Sequence, residues 1–224
     1  MARDGKGGRS KLEFAGAVFA GGESRRMGRE KALLRAGGIA MWRRQAEVLR
    51  RAGAEPVVIL RRQGQSALGR GGRWALPHLR DQFADAGPLA GLHAALAGTE
   101  RPFVAVLAVD MPEIDAAWFR WLGGFCHDDC GAVVRHHDGY EPLAAIYPRG
   151  ALATVTRRLQ RRALSMQEMV RGLVRAKKLT AVVLPERERW RVKNWNRPAD
   201  RKRGRASGRL SLTSAAGVRA ARSR

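Results

Sequence analysis

The amino-acid sequence predicts an α/β fold in which helices cover both faces of a mostly parallel sheet. Three observations indicate this fold: apolar runs of strand length recur, stretches with helical periodicity separate them, and one Asp-Gly turn signal interrupts the alternation. Strands that alternate with helices favour a parallel sheet buried on both faces. The length of 224 residues fits one such domain with tails.

Seven apolar runs are predicted strands. The longest, 103–109, has the pattern of a fully buried strand and ends at Asp110. Asp138-Gly139 lies between two strand-like runs, which is typical of a hairpin turn, so we expect one antiparallel hairpin there. The predicted strands span residues 15–20, 56–60, 74–79, 103–109, 132–135, 143–147 and 180–184.

Helical periodicity fills the intervals between these strands. The first predicted helix places Trp42, Ala46 and Leu49 on one face and ends at Gly53. The second has Pro88 near its first turn, where the missing N–H of proline costs no hydrogen bond. The predicted helices span residues 42–52, 88–97, 116–125, 151–159 and 165–174.

The two ends of the chain differ in composition from the middle. Residues 1–13 are rich in Gly, Lys and Arg, and residues 201–224 contain eight Lys or Arg and no acidic residue. Neither end has enough apolar side chains to form a core. We therefore predict a disordered N-terminal segment at 1–13, one domain at 14–200 and a basic disordered tail at 201–224.

The formal net charge is +23, which raises the hypothesis of nucleic-acid binding. The tail explains only part of this charge, so the predicted domain is basic as well. We interpret the arginine pairs on the predicted helices as a solvated face. A positive field would also favour a polyanionic substrate. These pairs are Arg43-Arg44, Arg50-Arg51, Arg157-Arg158 and Arg161-Arg162.

The two cysteines and the lengths of the apolar runs indicate the cellular location. Cys126 and Cys130 are too few for a disulfide framework and are predicted to be free thiols. A zinc site with His127, His136 and His137 is the less favoured alternative, because the cysteine spacing is not that of a zinc finger and no second pair exists. No apolar run approaches the roughly 20 residues of a membrane helix. The run 15–20 is too short for the core of a signal peptide, and we interpret it as the first strand. We therefore expect a cytoplasmic protein.

The loop from Ala20 to Lys31 has a composition that suits a triphosphate. Its glycines allow backbone N–H groups to approach phosphate oxygens, and its arginines and lysine supply positive charge. The spacing matches neither a Walker A loop nor a dinucleotide-binding loop.

This loop, AGGESRRMGREKALL at 20–34, resembles the signature of the molybdenum cofactor guanylyltransferases, the MobA-like nucleotidyltransferases. Three later segments resemble the same family in the same order. They are Asp81 followed by Gly87-Pro88-Leu89-Ala90-Gly91, the strand end Leu107-Ala108-Val109-Asp110-Met111-Pro112, and Asn194-Trp195-Asn196-Arg197-Pro198-Ala199-Asp200. The resemblance covers residues 14–200.

The resemblance implies a Rossmann-like nucleotidyltransferase fold with a nucleotide and Mg²⁺ bound at the strand ends. A carboxylate after a buried strand suits Mg²⁺, so Asp110 is the expected metal ligand. Arg25, Lys31 and Asp110 are the expected catalytic residues, and Arg26 has a weaker claim than Arg25. The implied nucleotide-binding residues are Phe19, Ala20, Gly21, Gly22, Lys31, Asp81 (with Asp85 as its local competitor) and Asp110, and Asn194 and Asn196 are further candidates.

The implied reaction is transfer of GMP from GTP to the terminal phosphate of molybdopterin or its molybdenum-loaded form, with release of pyrophosphate. The guanine preference rests on Ala20-Gly21-Gly22, since cytidylyl relatives generally have Ala-Ala-Gly there. The hairpin at 135–147 is where the family contacts its acceptor, although we assign no catalysis to His136 or His137. We also expect transient contact with other proteins of the pathway and, from the short apolar runs, no membrane partner.

Three positions depart from the family pattern without removing an expected metal ligand. Residues 60–63 lack an Asn that often contacts the nucleotide, residues 38–40 lack a usual Lys-Pro, and Arg197 replaces a usual Thr. Three alternatives remain: a transferase of the same fold for CTP or a sugar or alcohol phosphate, a nucleotide-binding regulator without turnover, and a basic nucleic-acid-binding protein. The last would interleave aromatic residues with its basic patch.

Overall fold

A computed structural model describes residues 12–21, 31–33, 35–36, 38–61, 68, 75–80 and 82–195. Leu12 and Glu13, just before the predicted domain start, already make contacts: Leu12 packs against the core and Glu13 pairs with Arg101 at 3.0 Å. The strands are β1 Phe14–Phe19, β2 Arg35–Ala36, β3 Ile39–Ala40, β4 Val57–Arg61, β5 His78–Arg80, β6 Phe103–Ala108, β7 Gly131–His136, β8 Gly139–Tyr140, β9 Ala144–Pro148 and β10 Leu179–Val183.

The helices follow the predicted positions, with boundaries set by local capping. The first helix ends at Gly53, whose φ of 102° is a left-handed conformation that glycine adopts without strain. Asp115 and Ser165 cap two others by accepting backbone N–H groups three residues later. The helices are α1 Met41–Ala52, α2 Gly87–Ala97, α3 Ala116–Gly123, α4 Leu152–Gln160 and α5 Met166–Arg175.

Among the described residues, eight strands form one sheet in the order β10-β7-β9-β6-β1-β4-β5, with β8 paired to β7. The pairs of β1 with β4 and β6, of β4 with β5 and of β7 with β10 are parallel, which confirms the mostly parallel sheet. The antiparallel part is larger than one hairpin, because β9 lies between β6 and β7 and is antiparallel to both. The predicted turn is confirmed at 137–138, where β7 meets β8.

Helices pack on both faces of the sheet, as predicted. One core cluster contains the apolar face of α1, including Trp42 and Leu49, together with Trp118 of α3. The other contains apolar residues of α2, α4 and α5, such as Leu92 and Val170. Within the described chain, no helix is both long and apolar enough to cross a membrane. Cys126 and Cys130 are free thiols, also as predicted, and burial raises the pKa of Cys126 to about 12.

Gly131 lies where β7 packs tightly against β9. A Cβ atom at this position would lie 2.1 Å from the carbonyl oxygen of Ile146 in β9. Gly131→Ala should therefore lower the free energy of unfolding by about 2 kcal/mol or more, because the strands must separate to admit the methyl group. Urea denaturation measures this change.

Gly172 in α5 provides the matched control, because a Cβ atom there would meet nothing within 4 Å. Gly172→Ala should raise the free energy of unfolding by about 0.5–1 kcal/mol through helix propensity alone. Equal effects of the two substitutions would contradict the placement of β9 against β7.

Candidate active site

The carboxyl ends of the neighbouring strands β1 and β6 lie side by side. Phe19 pairs with Ala108, and the Val109 N–H donates to the Phe19 carbonyl at 3.2 Å just past the end of β6. The loop that begins at Ala20 and the turn that carries Asp110 therefore leave the sheet together. Open α/β sheets bind ligands at these carboxyl ends of the strands.

Donors from two distant segments hold the turn that carries Asp110. The Arg44 guanidinium of α1 donates to the Pro112 carbonyl from Nε at 3.2 Å and from Nη2 at 2.7 Å. The Trp195 N–H donates to the Asp110 carbonyl at 2.8 Å. Trp195 belongs to what we call the closing segment, residues 186–195. This hydrogen bond brings the neighbouring Asn194 to the half-buried Asp110.

The closing segment is anchored to α3 by an ion-pair network. The Arg191 side chain, only 3% exposed, donates from Nε to Glu188 at 2.6 Å and from Nη1 to Asp115 at 3.2 Å. Asp115 is also the N-cap of α3, where its other oxygen accepts the Trp118 N–H at 3.0 Å. The network therefore ties the closing segment to the helix that follows the Asp110 turn.

A cavity of about 600 Å³ lies between the β7–β8 hairpin and the closing segment. It has both acidic and basic side chains and one tryptophan, so it suits a ligand with polar groups and a flat ring. Its lining residues are His136, Asp138, Glu141, Glu186, Arg189, Trp190, Val192, Lys193 and Asn194.

Glu141, one of the lining residues, has an altered pKa. Burial raises the pKa of Glu141 to about 7, the negative charge of Asp110 adds to the increase, and a backbone hydrogen bond from Leu143 opposes it. Glu141 therefore changes charge near neutral pH.

The pKa of Glu141 predicts a pH dependence of stability. Because this pKa is about 7 in the fold and 4.5 ordinarily, the folded protein binds more protons between these pH values. Without divalent cations, the free energy of unfolding should thus fall by up to about 3 kcal/mol from pH 4.5 to 7. Glu141→Gln should remove this component, and parallel stability profiles of the two proteins would contradict it.

The tip of the hairpin gathers a second group of ligand atoms. His136, His137 and Asp138 each offer one such atom within 4.8 Å of the others. The Arg189 guanidinium already contacts this group, 3.2 Å from His137 Nε2 and 3.5 Å from an Asp138 oxygen. Because a cation holds these groups, the geometry gives no reason to assign the histidines a metal or a proton-transfer role.

A separate group of oxygen-bearing side chains lies around the Asp110 turn. Asp110, just after β6, has carboxyl oxygens, and Asn194, which the hydrogen bond of Trp195 to Asp110 brings near, has an amide oxygen. Mg²⁺ prefers such hard oxygen ligands and keeps several positions for water or phosphate. The residue types at this turn are therefore ones that Mg²⁺ accepts as ligands.

Comparison with known proteins identifies the family. A family model described as "MobA-like NTP transferase domain" matches residues 16–180. The chain belongs to this family. A probable molybdenum cofactor guanylyltransferase from Opitutus terrae is 59% identical over 195 residues, which are 86% of this chain and 95% of that protein. A protein of the same name from Pelotomaculum thermopropionicum is 39% identical over 66% of this chain and 70% of its own length.

A solved structure supports the same relationship. Molybdopterin-guanine dinucleotide biosynthesis protein A from Archaeoglobus fulgidus matches with a TM-score of 0.63 and 26% identity, covering 84% of this chain and 95% of that one. The resemblance found in the sequence, and the MobA-like fold that it implied, are therefore confirmed.

The structure brings together only some of the residues expected from the MobA-like pattern. Phe19, Ala20 and Gly21 lie at the sheet edge beside the Asp110 turn, and Asn194 lies next to that turn. Lys31 begins a short 3₁₀ helix, Lys31–Leu33, and its side chain is outside the described structure. Gly22, Arg25, Arg26, Asp81 and Asn196 also lie outside the described residues. Asp85 is described, on the exposed surface just before α2.

Several residues that shape this MobA-like site were missed from the sequence. Arg44 belongs to an arginine pair that we interpreted as solvated, yet it holds the Asp110 turn. Arg191 is buried, and the backbone N–H of Trp195 donates a hydrogen bond to the Asp110 carbonyl. Only Gln45 carried a usable signal, because it is a polar residue one position from the apolar face of α1.

Proposed function

We propose that this chain is a molybdenum cofactor guanylyltransferase, which transfers GMP from GTP to the terminal phosphate of molybdopterin or its molybdenum-loaded form. The identity to the Opitutus terrae protein over nearly its whole length carries this proposal. The position of the Asp110 turn at the ligand-binding edge of the sheet supports it.

The reaction forms one phosphoanhydride bond and breaks another. An oxygen of the acceptor's terminal phosphate attacks the α-phosphorus of GTP, and the bond from that phosphorus to the β-phosphate oxygen breaks. Pyrophosphate takes the electron pair of the broken bond. The attacking phosphate is already ionised, so no general base is needed, and the protein contributes alignment and charge neutralisation.

Asp110 would hold Mg²⁺, with Asn194 and Asn196 as further candidates for orienting its water or the pyrophosphate oxygens. When bound, Mg²⁺ would neutralise charge on the triphosphate. Two cations of the loop, Arg25 and Lys31, would stabilise the charge that develops on the leaving pyrophosphate.

The nucleotide and the acceptor would occupy opposite sides of Asp110. Phe19, Ala20, Gly21 and Gly22 would present backbone to the nucleotide, with Asp81 as a further contact. The cavity beside the hairpin would take the acceptor, because Arg189 and Lys193 suit its phosphate and Trp190 offers a flat surface for the pterin ring. Transient contact with other pathway proteins and a cytoplasmic location stay predictions.

Incubation of the protein with Mg²⁺, molybdopterin and each nucleoside triphosphate in turn tests the proposal by pyrophosphate release. We expect turnover with GTP and not with CTP. Turnover with CTP alone would overturn the choice of base, and no turnover with any nucleotide would overturn the enzymatic function. Omission of Mg²⁺ should abolish turnover.

A further inference from the structure

Gln45 is a fully buried polar side chain that reaches the Asp110 turn from α1. Its Nε2 donates to the Ala108 carbonyl at 3.1 Å and to the Met111 carbonyl at 2.7 Å. These two carbonyls lie on either side of Asp110 in the chain. One amide group therefore holds the backbone before and after the expected metal ligand.

The surroundings of the Gln45 amide settle its orientation. Both bonded neighbours are carbonyl oxygens, which only accept hydrogen bonds, so the NH₂ group must face them. The Gln45 Oε1 atom is buried and has no hydrogen-bond partner among the described residues. A buried acceptor without a partner costs about 1–3 kcal/mol. This cost offsets much of what the two hydrogen bonds contribute to folding.

We infer that Gln45 is a positioning residue for Asp110, and this inference rests on the proposed function, in which Asp110 binds Mg²⁺. The Gln45 amide fixes the path of the backbone from Ala108 to Met111 and hence the place of the Asp110 Cα atom. Arg44 and Trp195 hold other carbonyls of the turn but do not bridge Asp110. Partners that orient metal ligands in this way typically change metal affinity 10–100-fold when they are removed.

Gln45→Met tests the inference, because methionine keeps the length of the side chain and removes the NH₂ donor. Mn²⁺ binding to the full-length protein with GTP and without acceptor is followed by electron paramagnetic resonance. We expect the dissociation constant for Mn²⁺ to rise at least 10-fold. Gln45→Asn, which withdraws the amide by one methylene, should show the same change and serves if the methionine variant does not fold.

Val170→Ala provides a control for lost stability. Val170 is fully buried in the core cluster on the other face of the sheet, so its truncation destabilises the domain without touching the Asp110 turn. The Mn²⁺ dissociation constant of this variant should stay within twofold of the wild-type value.

The outcomes separate the inference from the function on which it rests. Wild-type Mn²⁺ affinity in folded Gln45→Met or Gln45→Asn overturns the positioning role alone and leaves the proposed function intact. A wild-type protein that binds no Mn²⁺ with GTP overturns the metal role of Asp110 and the positioning role with it. An equal loss of affinity in Val170→Ala would also overturn the inference.

Discussion

Replacement of Asp110 with asparagine should lower kcat on the order of 10³-fold and leave the fold intact. The substitution removes the anionic oxygen that would hold Mg²⁺ against the triphosphate, and several kcal/mol of charge stabilisation correspond to this loss in rate. The Asp110 carbonyl would still accept the Trp195 N–H, so the turn keeps its backbone contacts. Pyrophosphate release at saturating GTP, Mg²⁺ and molybdopterin measures the effect.

Asp128→Asn is the matched control, because it makes the same chemical change at an exposed carboxylate. Asp128 lies before the amino end of β7, whereas Asp110 follows the carboxyl end of β6. Asparagine tolerates the positive φ of 46° at position 128. Its activity should stay within twofold of wild type. If Asp110→Asn retained more than a tenth of the wild-type kcat, Asp110 would not be the metal ligand.

The place of Asp110 could be predicted because it depends on local pattern. An unbroken apolar run marks β6, and the first charged residue after it marks the end of the strand. The end of α1 at Gly53 was predictable for a similar reason, since glycine suits the left-handed C-cap that the structure shows. These features depend on residues close together in the sequence.

The residues that hold Asp110 in place could not be predicted in this way. Gln45 donates hydrogen bonds to Ala108 and Met111, which lie 63 and 66 positions later in the chain. Its partners therefore depend on how α1 packs against the sheet. The direction of β9 is a similar case, because an apolar run fits a parallel or an antiparallel strand equally well. The burial of Arg191 is a third case, since arginines are mostly exposed and no local pattern marks this one as buried.

Arg191→Met should lower the free energy of unfolding by about 3–5 kcal/mol, the largest stability loss that we expect. The substitution leaves Glu188, which is 7% exposed, as a buried carboxylate without its strongest partner. It also removes the hydrogen bond to Asp115 that ties the closing segment to α3. Urea denaturation measures the loss of stability, and kcat should fall as well because the closing segment carries Asn194 and Trp195.

Arg189→Met is a close match for this substitution, because Arg189 and Glu186 have the same three-residue spacing and the same 2.6 Å contact as Arg191 and Glu188. The two pairs differ in burial: Arg189 is 34% and Glu186 79% exposed. Water screens the exposed pair, so Arg189→Met should cost no more than about 1 kcal/mol. Similar losses of stability in the two variants would show that burial is not the source of the Arg191 effect. If burial is the source, adding Glu188→Gln to Arg191→Met should recover part of the lost stability, because glutamine removes the unpaired buried charge.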